Sequence, residues 1–420
     1  MTAHVSRPDA GLSTDQQKEI ANLAASPSVR SAYAWFLSEE ARIAEWQLQL
    51  ARIPAPPFGE QARSEWLLER FFELGLKEVH ADEVGNVFGL RPGTEGKSVA
   101  LSAHLDTVFP AGTPLNVRQQ GARLYGPGVS DNGAGLAALL GVAAALGQAR
   151  ISTSAPILFI ANVGEEGEGD LRGMRQIFSD RRWLDSIGYN VILDGAGNDT
   201  VVAEALGSRR FEVIVRGPGG HSWSDFGAPN PIVVLARAVA RFAEVPVPSS
   251  PKTTFNIGVI RGGTSVNSIP ESASMRVDIR STSSKEIEAL EQALRAALDR
   301  AVDEESRAAE ARCSGHKRFG ELSAEVVAIG NRPGGELAPG ARILQVIRAV
   351  DAHLGNVAQV QRASTDANIP LSLGREAIAI GGGGTGGGAH TLQEWFDCTG
   401  RDLGLRRILL LVLALAGVSE

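Results

Sequence analysis

Between Pro156 and Val163 the chain reads Pro-Ile-Leu-Phe-Ile-Ala-Asn-Val, an almost unbroken apolar run of one strand's length. A strand apolar on both faces must be covered on both sides, the situation of an inner strand in a sheet flanked by helices. Its neighbours fit. Ala134–Leu146 is almost wholly apolar but too long for a typical strand, so it reads as a buried helix, and Val191–Leu193 reads as another inner strand. Short β-rich runs at Lys77–His80, Asn86–Leu90 and Ser98–His104 accompany helical stretches at 14–50 and about 60–74. Strands alternating with helices predict an α/β domain.

The pattern changes near Gly207. Arg209–Arg216 alternates like a half-buried strand, followed by a helix at Pro231–Ala243 and strands at 252–261 and 272–280. Ser283-Ser284-Lys285-Glu286 is a capping box that opens a helix to about Glu305, and Ala324–Ile329 reads as a last strand. This β-α-β-β-α-β order is ferredoxin-like, so the chain is expected to divide into 1–206, an inserted 207–330 and 331–420, with 1–43 as a helical extension. At about 150 residues per domain, 420 residues accommodate that division.

Composition narrows the function. A net charge of −7 argues against a nucleic-acid binder, which needs a basic face. Two cysteines, Cys313 and Cys398, cannot build a disulfide framework or a zinc ribbon, so any metal would be held by His and carboxylates. Met1–Ile20 lacks the apolar segment of a signal peptide, and the eleven-residue run Ile408–Val418 falls short of the roughly 20 residues a spanning helix needs. No membrane contact and a cytoplasmic location are the expectation.

Five segments carry metal-ligand residue types at strand ends or in the loops after them: Ser102–Asp106, Gly128–Gly133, Gly164–Gly167, Leu193–Gly195 and Gly388–Thr391. Ligands of open α/β sheets bind at the carboxyl ends of strands. Taken singly each has an ordinary reading: His104 as a hydrogen-bonded core histidine, Asp131 as a helix cap, Glu165-Glu166 as a solvated acidic loop, His390 as a surface histidine. Together, His104, Asp131, Glu166, Asp194 and His390 supply two imidazoles and three carboxylates, which suits two zinc ions sharing Asp131, with Co²⁺ or Mn²⁺ as alternatives. Glu165, left over, is the natural general base. The Gly-rich stretches Gly126–Gly128 and Gly381–Gly388 match neither a dinucleotide nor a phosphate-loop pattern.

The set resembles the co-catalytic zinc metallopeptidases typified by peptidase T, glutamate carboxypeptidase, aminoacylase, acetylornithine deacetylase and succinyl-diaminopimelate desuccinylase. The matching motifs are His104–Thr107, Ser130–Gly133, Glu165–Gly167, Asp194-Gly195, Gly219–Ser222, Asn267–Pro270 and the late His390, spread over roughly residues 45–415 in the family's order. The resemblance implies that His104 and Asp194 hold one metal, Glu166 and His390 the other, and Asp131 bridges. It further implies that Asp106 orients His104, Glu165 is the base, His221 stabilises the oxyanion, and the Asp131–Asn132 peptide is cis. Asn267 and Arg280 would contact substrate, with Thr365 and Gly388 lining the pocket. The resemblance implies a mixed-sheet, zinc-exopeptidase-like catalytic domain, with the inserted ferredoxin-like domain acting as a lid and pairing two copies into a homodimer that exchanges His221. The expected reaction is hydrolysis of an amide in di- or tripeptides, because relatives acting on these often have Asp where this chain has Asp194. The alternatives are an N-acyl-amino-acid amidohydrolase and a non-catalytic peptide-binding relative.

Overall fold

Ile157–Asn162 is buried at every position and lies inside a sheet of nine strands among the described residues. The computed structural model describes residues 14–313, 319–338 and 340–419. Ser98–His104, also wholly buried, pairs in parallel with Ile157–Asn162 on one side and with Ile187–Leu193 on the other. Glu376–Ile380 continues in parallel beyond Ile187–Leu193. Four carboxyl ends therefore open along one edge of the sheet. Val87–Arg91 and Lys77–Ala81 extend it antiparallel at one margin. At the other, Thr200–Ala205 runs antiparallel to Glu376–Ile380.

The helices that cover this sheet are apolar for the same reason as the strands. Gly133–Gln148 is buried from Gly133 through Leu146 and Arg401–Ala416 along most of its length, so neither shows the single apolar stripe of a surface helix. No helix of the described residues is long and apolar enough to cross a membrane. The stretch 14–50 is three helices, not one: Thr14–Ala25, Pro27–Ser38 and Glu40–Ala51. Ser26 caps the second by accepting from Val29 N, and Pro27 takes the first helical position, where its missing N–H costs nothing. Ile20, Ala24, Val29, Ala32, Phe36 and Ile43 all belong to the main core. Leu37 is 59 % exposed because Phe36 occupies the inward direction one step earlier.

Contacts within the chain define one unit made of the residues up to Ala205 and from Gly335 onward, and a second at Leu206–Gly334. In the second unit four antiparallel strands run in the spatial order Thr253–Gly262, Ser272–Ser281, Gly207–Arg216, Ser323–Arg332. That is the ferredoxin-like arrangement, with Pro231–Ala243 and Ser284–Arg312 packed through Val234, Leu235, Leu294 and Leu298 onto Phe211, Val213 and Val277. The long helix runs seven residues past Glu305. Glu305 faces inward and accepts from Arg312 at 2.6 Å, which extends the helix beyond its apolar pattern.

In the first unit Arg407 is fully buried and grips Asp351 with Nε at 2.6 Å and Nη2 at 2.9 Å, joining Arg401–Ala416 to the helix Arg342–Leu354. Removing one partner strands the other charge in the interior. Arg407→Met is expected to lower stability by about 3–5 kcal/mol in urea unfolding, and Asp351→Leu added to it should restore a large part.

Candidate metal centre

The parallel strands deliver the residues. His104 is the last residue of its strand, Glu165 and Glu166 follow Ile157–Asn162 by one tight turn at Gly164, and Asp194 directly follows Ile187–Leu193. Asp131 precedes the helix Gly133–Gln148. Its peptide to Asn132 is cis, and the Asn132 side chain is tied into the site by bonds from Gly135 N and Gly195 N and to Leu193 O. His390 comes from a second small sheet that the sequence did not reveal, Thr385–Gly387, Trp395–Asp397, Arg123–Tyr125 and Arg118–Gln120. Its three-residue strands are too short to leave a period-2 signature.

Ligand atoms of His104, Asp131 and Asp194 lie within 4.8 Å of one another, as do those of Asp131, Glu166 and His390. The two triads share Asp131. A third group of the same tightness joins His104 with Glu165 and Glu166. Individual approaches are 3.2 Å from His104 Nε2 to Asp131 Oδ1 and 3.9 Å to Asp194 Oδ1. His390 Nε2 is 3.1 Å from Asp131 Oδ2 and 3.0 Å from Glu166 Oε1.

Asp106 acts through more than its side chain. His104 Nδ1 donates to the main-chain carbonyl of Asp106 at 3.1 Å, while the Asp106 carboxylate, 3.5 Å from that nitrogen, accepts from Glu165 N at 2.9 Å and Glu166 N at 2.7 Å. The sequence reading gave the carboxylate only the imidazole. With Nδ1 donating, the other ring nitrogen of neutral His104 presents a lone pair toward Asp131 and Asp194. Lone pair facing carboxylate is repulsive unless a proton or a cation lies between. Buried Asp131 Oδ1 has no hydrogen-bond partner of good geometry. The nitrogen and oxygen donors, and the absence of sulfur among them, fit two borderline divalent ions such as zinc.

Electrostatics of the bare cluster point the same way. Burial and then the charge of Asp131 push the Glu166 carboxyl up to about 7. Burial would raise Asp131, but the close imidazoles of His104 and His390 hold it well below the usual carboxylate range. Burial would lower His104, but the neighbouring carboxylates of Asp106, Asp131 and Asp194 raise it well above an ordinary imidazole. Protons here do the work that cations do better: they neutralise crowded oxygens.

Three charged residues lie buried at this site; Asp366 belongs to the loop of Thr365 expected to line the pocket, whereas Arg63 and Glu394 carried no expectation from sequence. Asp366 accepts from Asn162 Nδ2 at 2.7 Å, and burial pushes it up to about 7. Arg63 donates to Ile53 O at 2.9 Å and to Leu105 O at 2.7 Å. Glu394 is wholly buried and accepts from main-chain amides of the Asp131 turn. A signal existed for Arg63, which stands at four-residue spacing with inward Leu67 and Phe71. Thr365 is buried and its hydroxyl accepts from Ala367 N at 3.1 Å, making it part of its own turn. Gly388 sits at φ +69°, where it accepts from Thr391 N and Oγ1 in the turn that presents His390.

In the second unit, Gly220–His221 pairs with Ser268–Ile269, so the motifs around His221 and Asn267 adjoin. His221 is exposed, and its Nδ1 accepts from Trp223 N at 3.2 Å, leaving the proton on Nε2 as an outward donor. Asn267 Oδ1 accepts from Ser265 Oγ at 2.5 Å. Arg280, on the strand Ser272–Ser281, donates through Nε to Asp278 at 2.6 Å.

Fold and site together define a metal-binding hydrolase. A profile described as peptidase family M20/M25/M40 matches residues 100–414, and the chain belongs to that family. It is 27 % identical over 273 residues to the succinyl-diaminopimelate desuccinylase of Nitrosospira multiformis, covering 60 % of this chain and 71 % of the relative. A tripeptidase from Staphylococcus aureus has a similar fold, with a TM-score of 0.70 and 23 % identity over 90 % of this chain and 98 % of that one. So does a dinuclear metal binding peptidase of the M20 family from Bacillus subtilis, with a TM-score of 0.62 and 16 % identity over 91 % and 99 %.

The cluster predicts a pH signature for chelator-treated protein. Bonds to Asp131 raise His390 from 6.5 to about 9 on folding. A raised histidine stabilises fully below its unfolded value and loses that contribution as pH rises through the folded one. Thermal melts of wild type and His390→Asn after chelation should therefore differ most below pH 6.5 and converge above about pH 9.

Proposed function

We propose that this protein is a di-zinc exopeptidase that hydrolyses an amide bond in di- or tripeptides. The carrying observation is the pair of ligand triads sharing Asp131, with Glu165 grouped beside them at His104 and Glu166. His104 and Asp194 would hold one ion, Glu166 and His390 the other. When bound, such a pair lowers the pKa of water toward neutrality and polarises the scissile carbonyl.

The chain's own residues do the rest. Glu165 takes a proton from the attacking water and returns it to the departing amine. The Asp106 carboxylate fixes the main chain of both Glu165 and Glu166, so the base is anchored beside the site it serves. His221, with its proton on Nε2, donates to the tetrahedral oxyanion, a contribution typically worth about 3–4 kcal/mol per donor. Asn267 and Arg280 hold the substrate, Arg280 through its terminal carboxylate, where a planar guanidinium bonds with two parallel N–H groups. Thr365 and Gly388 shape the pocket from beneath by fixing the turns they occupy.

Asp194 favours peptides over N-acyl amino acids, and the tripeptidase likeness is in line with that. The desuccinylase relative supports the second reading, an N-acyl-amino-acid amidohydrolase on the same machinery. We place the enzyme in the cytoplasm as a homodimer paired through Leu206–Gly334; free Cys313 and Cys398 accord with a reducing setting.

Purified protein assayed on di- and tripeptides and on N-acetyl and N-succinyl amino acids decides the substrate class. Turnover of peptides is expected; turnover of acyl amino acids alone reverses the order. Glu165→Gln should keep two equivalents of zinc by elemental analysis while kcat falls about 10²–10⁴-fold. Unchanged turnover would remove Glu165 from the role of base.

A further inference from the structure

Asp131 is common to both triads, yet its own carboxylate does not set where its backbone lies. Glu394 does. Its Oε1 accepts from Ser130 N at 2.7 Å and Asp131 N at 2.8 Å, and its Oε2 accepts from Gly128 N at 2.7 Å. The main chain continues the contact, with Gly126 N donating to Glu394 O at 3.0 Å, and Trp395–Asp397 pairing with Arg123–Tyr125 next to it. The turn that offers these donors needs Gly128 at φ +74°, where a Cβ would come within 2.7 Å of Thr107 Cγ2. Four residues before Glu394, His390 approaches Asp131 Oδ2 at 3.1 Å.

We propose that Glu394 is a positioning residue for the metal centre: its carboxylate holds the Gly126–Asp131 turn in register with His390, so that Asp131 serves both triads. The proposal rests on reading those triads as a two-metal centre. One short segment, residues 390–394, then supplies both a ligand of the second triad and the grip on the shared one. Three N–H donors converging on one carboxylate are charge-assisted bonds, shorter and stronger than neutral ones. They also explain why a fully buried acid sits beside a site already rich in carboxylates: it meets amide dipoles at its own oxygens, and the buried Arg63 guanidinium is a neighbouring countercharge. A glutamine of the same shape would turn an NH₂ group toward an N–H donor and lose at least one of the three bonds.

The test compares wild type with Glu394→Gln. Amide exchange by mass spectrometry on metal-free protein reads the turn directly: peptides spanning residues 126–133 should exchange slowly in wild type and at least tenfold faster in the variant. Zn²⁺ titration of stripped protein should show affinity at the centre 10–100-fold weaker in the variant, the usual cost of losing a residue that orients a ligand. The metal-free variant should remain folded, and kcat should fall with little change in KM. Fast exchange of the turn in wild type, or a folded variant with wild-type zinc affinity and kcat, overturns the proposal. Zinc stoichiometry of the wild type checks the two-metal reading separately, since exchange is measured with no metal present. Should Glu394→Gln be insoluble, the wild-type exchange pattern still decides.

Discussion

Carboxylates crowded at the ends of parallel strands repel one another, and much of the first unit is arranged around that repulsion. Asp131, Glu165, Glu166 and Asp194 gather about His104 within ligand reach, and Asp106, Asp366 and Glu394 lie buried around them. Backbone amides answer two of the buried acids: Asp106 receives two and Glu394 three. Arg63, fully buried, feels the charges of both, and burial still lowers it to about 10. What remains is unanswered oxygen at the surface of the cluster, including Asp131 Oδ1. Divalent cations held there would resolve that remainder.

The same logic reaches outward into packing. Gln47, from the helix Glu40–Ala51, donates to Val129 O and accepts from buried Arg401 at 2.6 Å. The turn bearing Asp131 is thus gripped by Glu394 on one side and tied through Gln47 to the helical core on the other. The helix Glu40–Ala51 thereby becomes part of the frame around Asp131. A rigid frame matters because ligand positions must hold to fractions of an ångström before any substrate arrives.

Much of this was legible in the sequence. Apolar runs marked the inner strands and the two buried helices, and residues placed just after those strands proved to be the ones that converge. The capping box at Ser283 and the order of strands and helices marked the inserted ferredoxin-like unit. What escaped shares a physical cause. Arg63 and Glu394 are charged residues on a helix face or in a loop, where the prior favours solvent, and their burial depends on partners far away in the chain. The three-residue strands around His390 carry no periodicity. The break at Ser26-Pro27 was readable as a cap followed by proline, but continuous apolar spacing on either side masked it. Asp106 illustrates a subtler limit: spacing tied it to His104, whereas its carboxylate serves two amides about sixty positions later.

The order of strands in the large sheet has a consequence for how the chain is made. Glu376–Ile380 sits between Ile187–Leu193 and Thr200–Ala205, so a segment from the end of the chain fills a gap left between two much earlier ones. Leu206–Gly334 contains its entire sheet and both of its helices within one continuous stretch. During synthesis the inserted unit can complete its fold at the ribosome while the larger one waits with an open seam and exposed apolar edges. Long-range parallel pairing of this kind is slow and aggregation-prone, so the nascent protein's dependence on chaperones should be concentrated in the interval between the emergence of Ile187–Leu193 and that of Glu376–Ile380, on the order of 10–40 s at usual elongation rates.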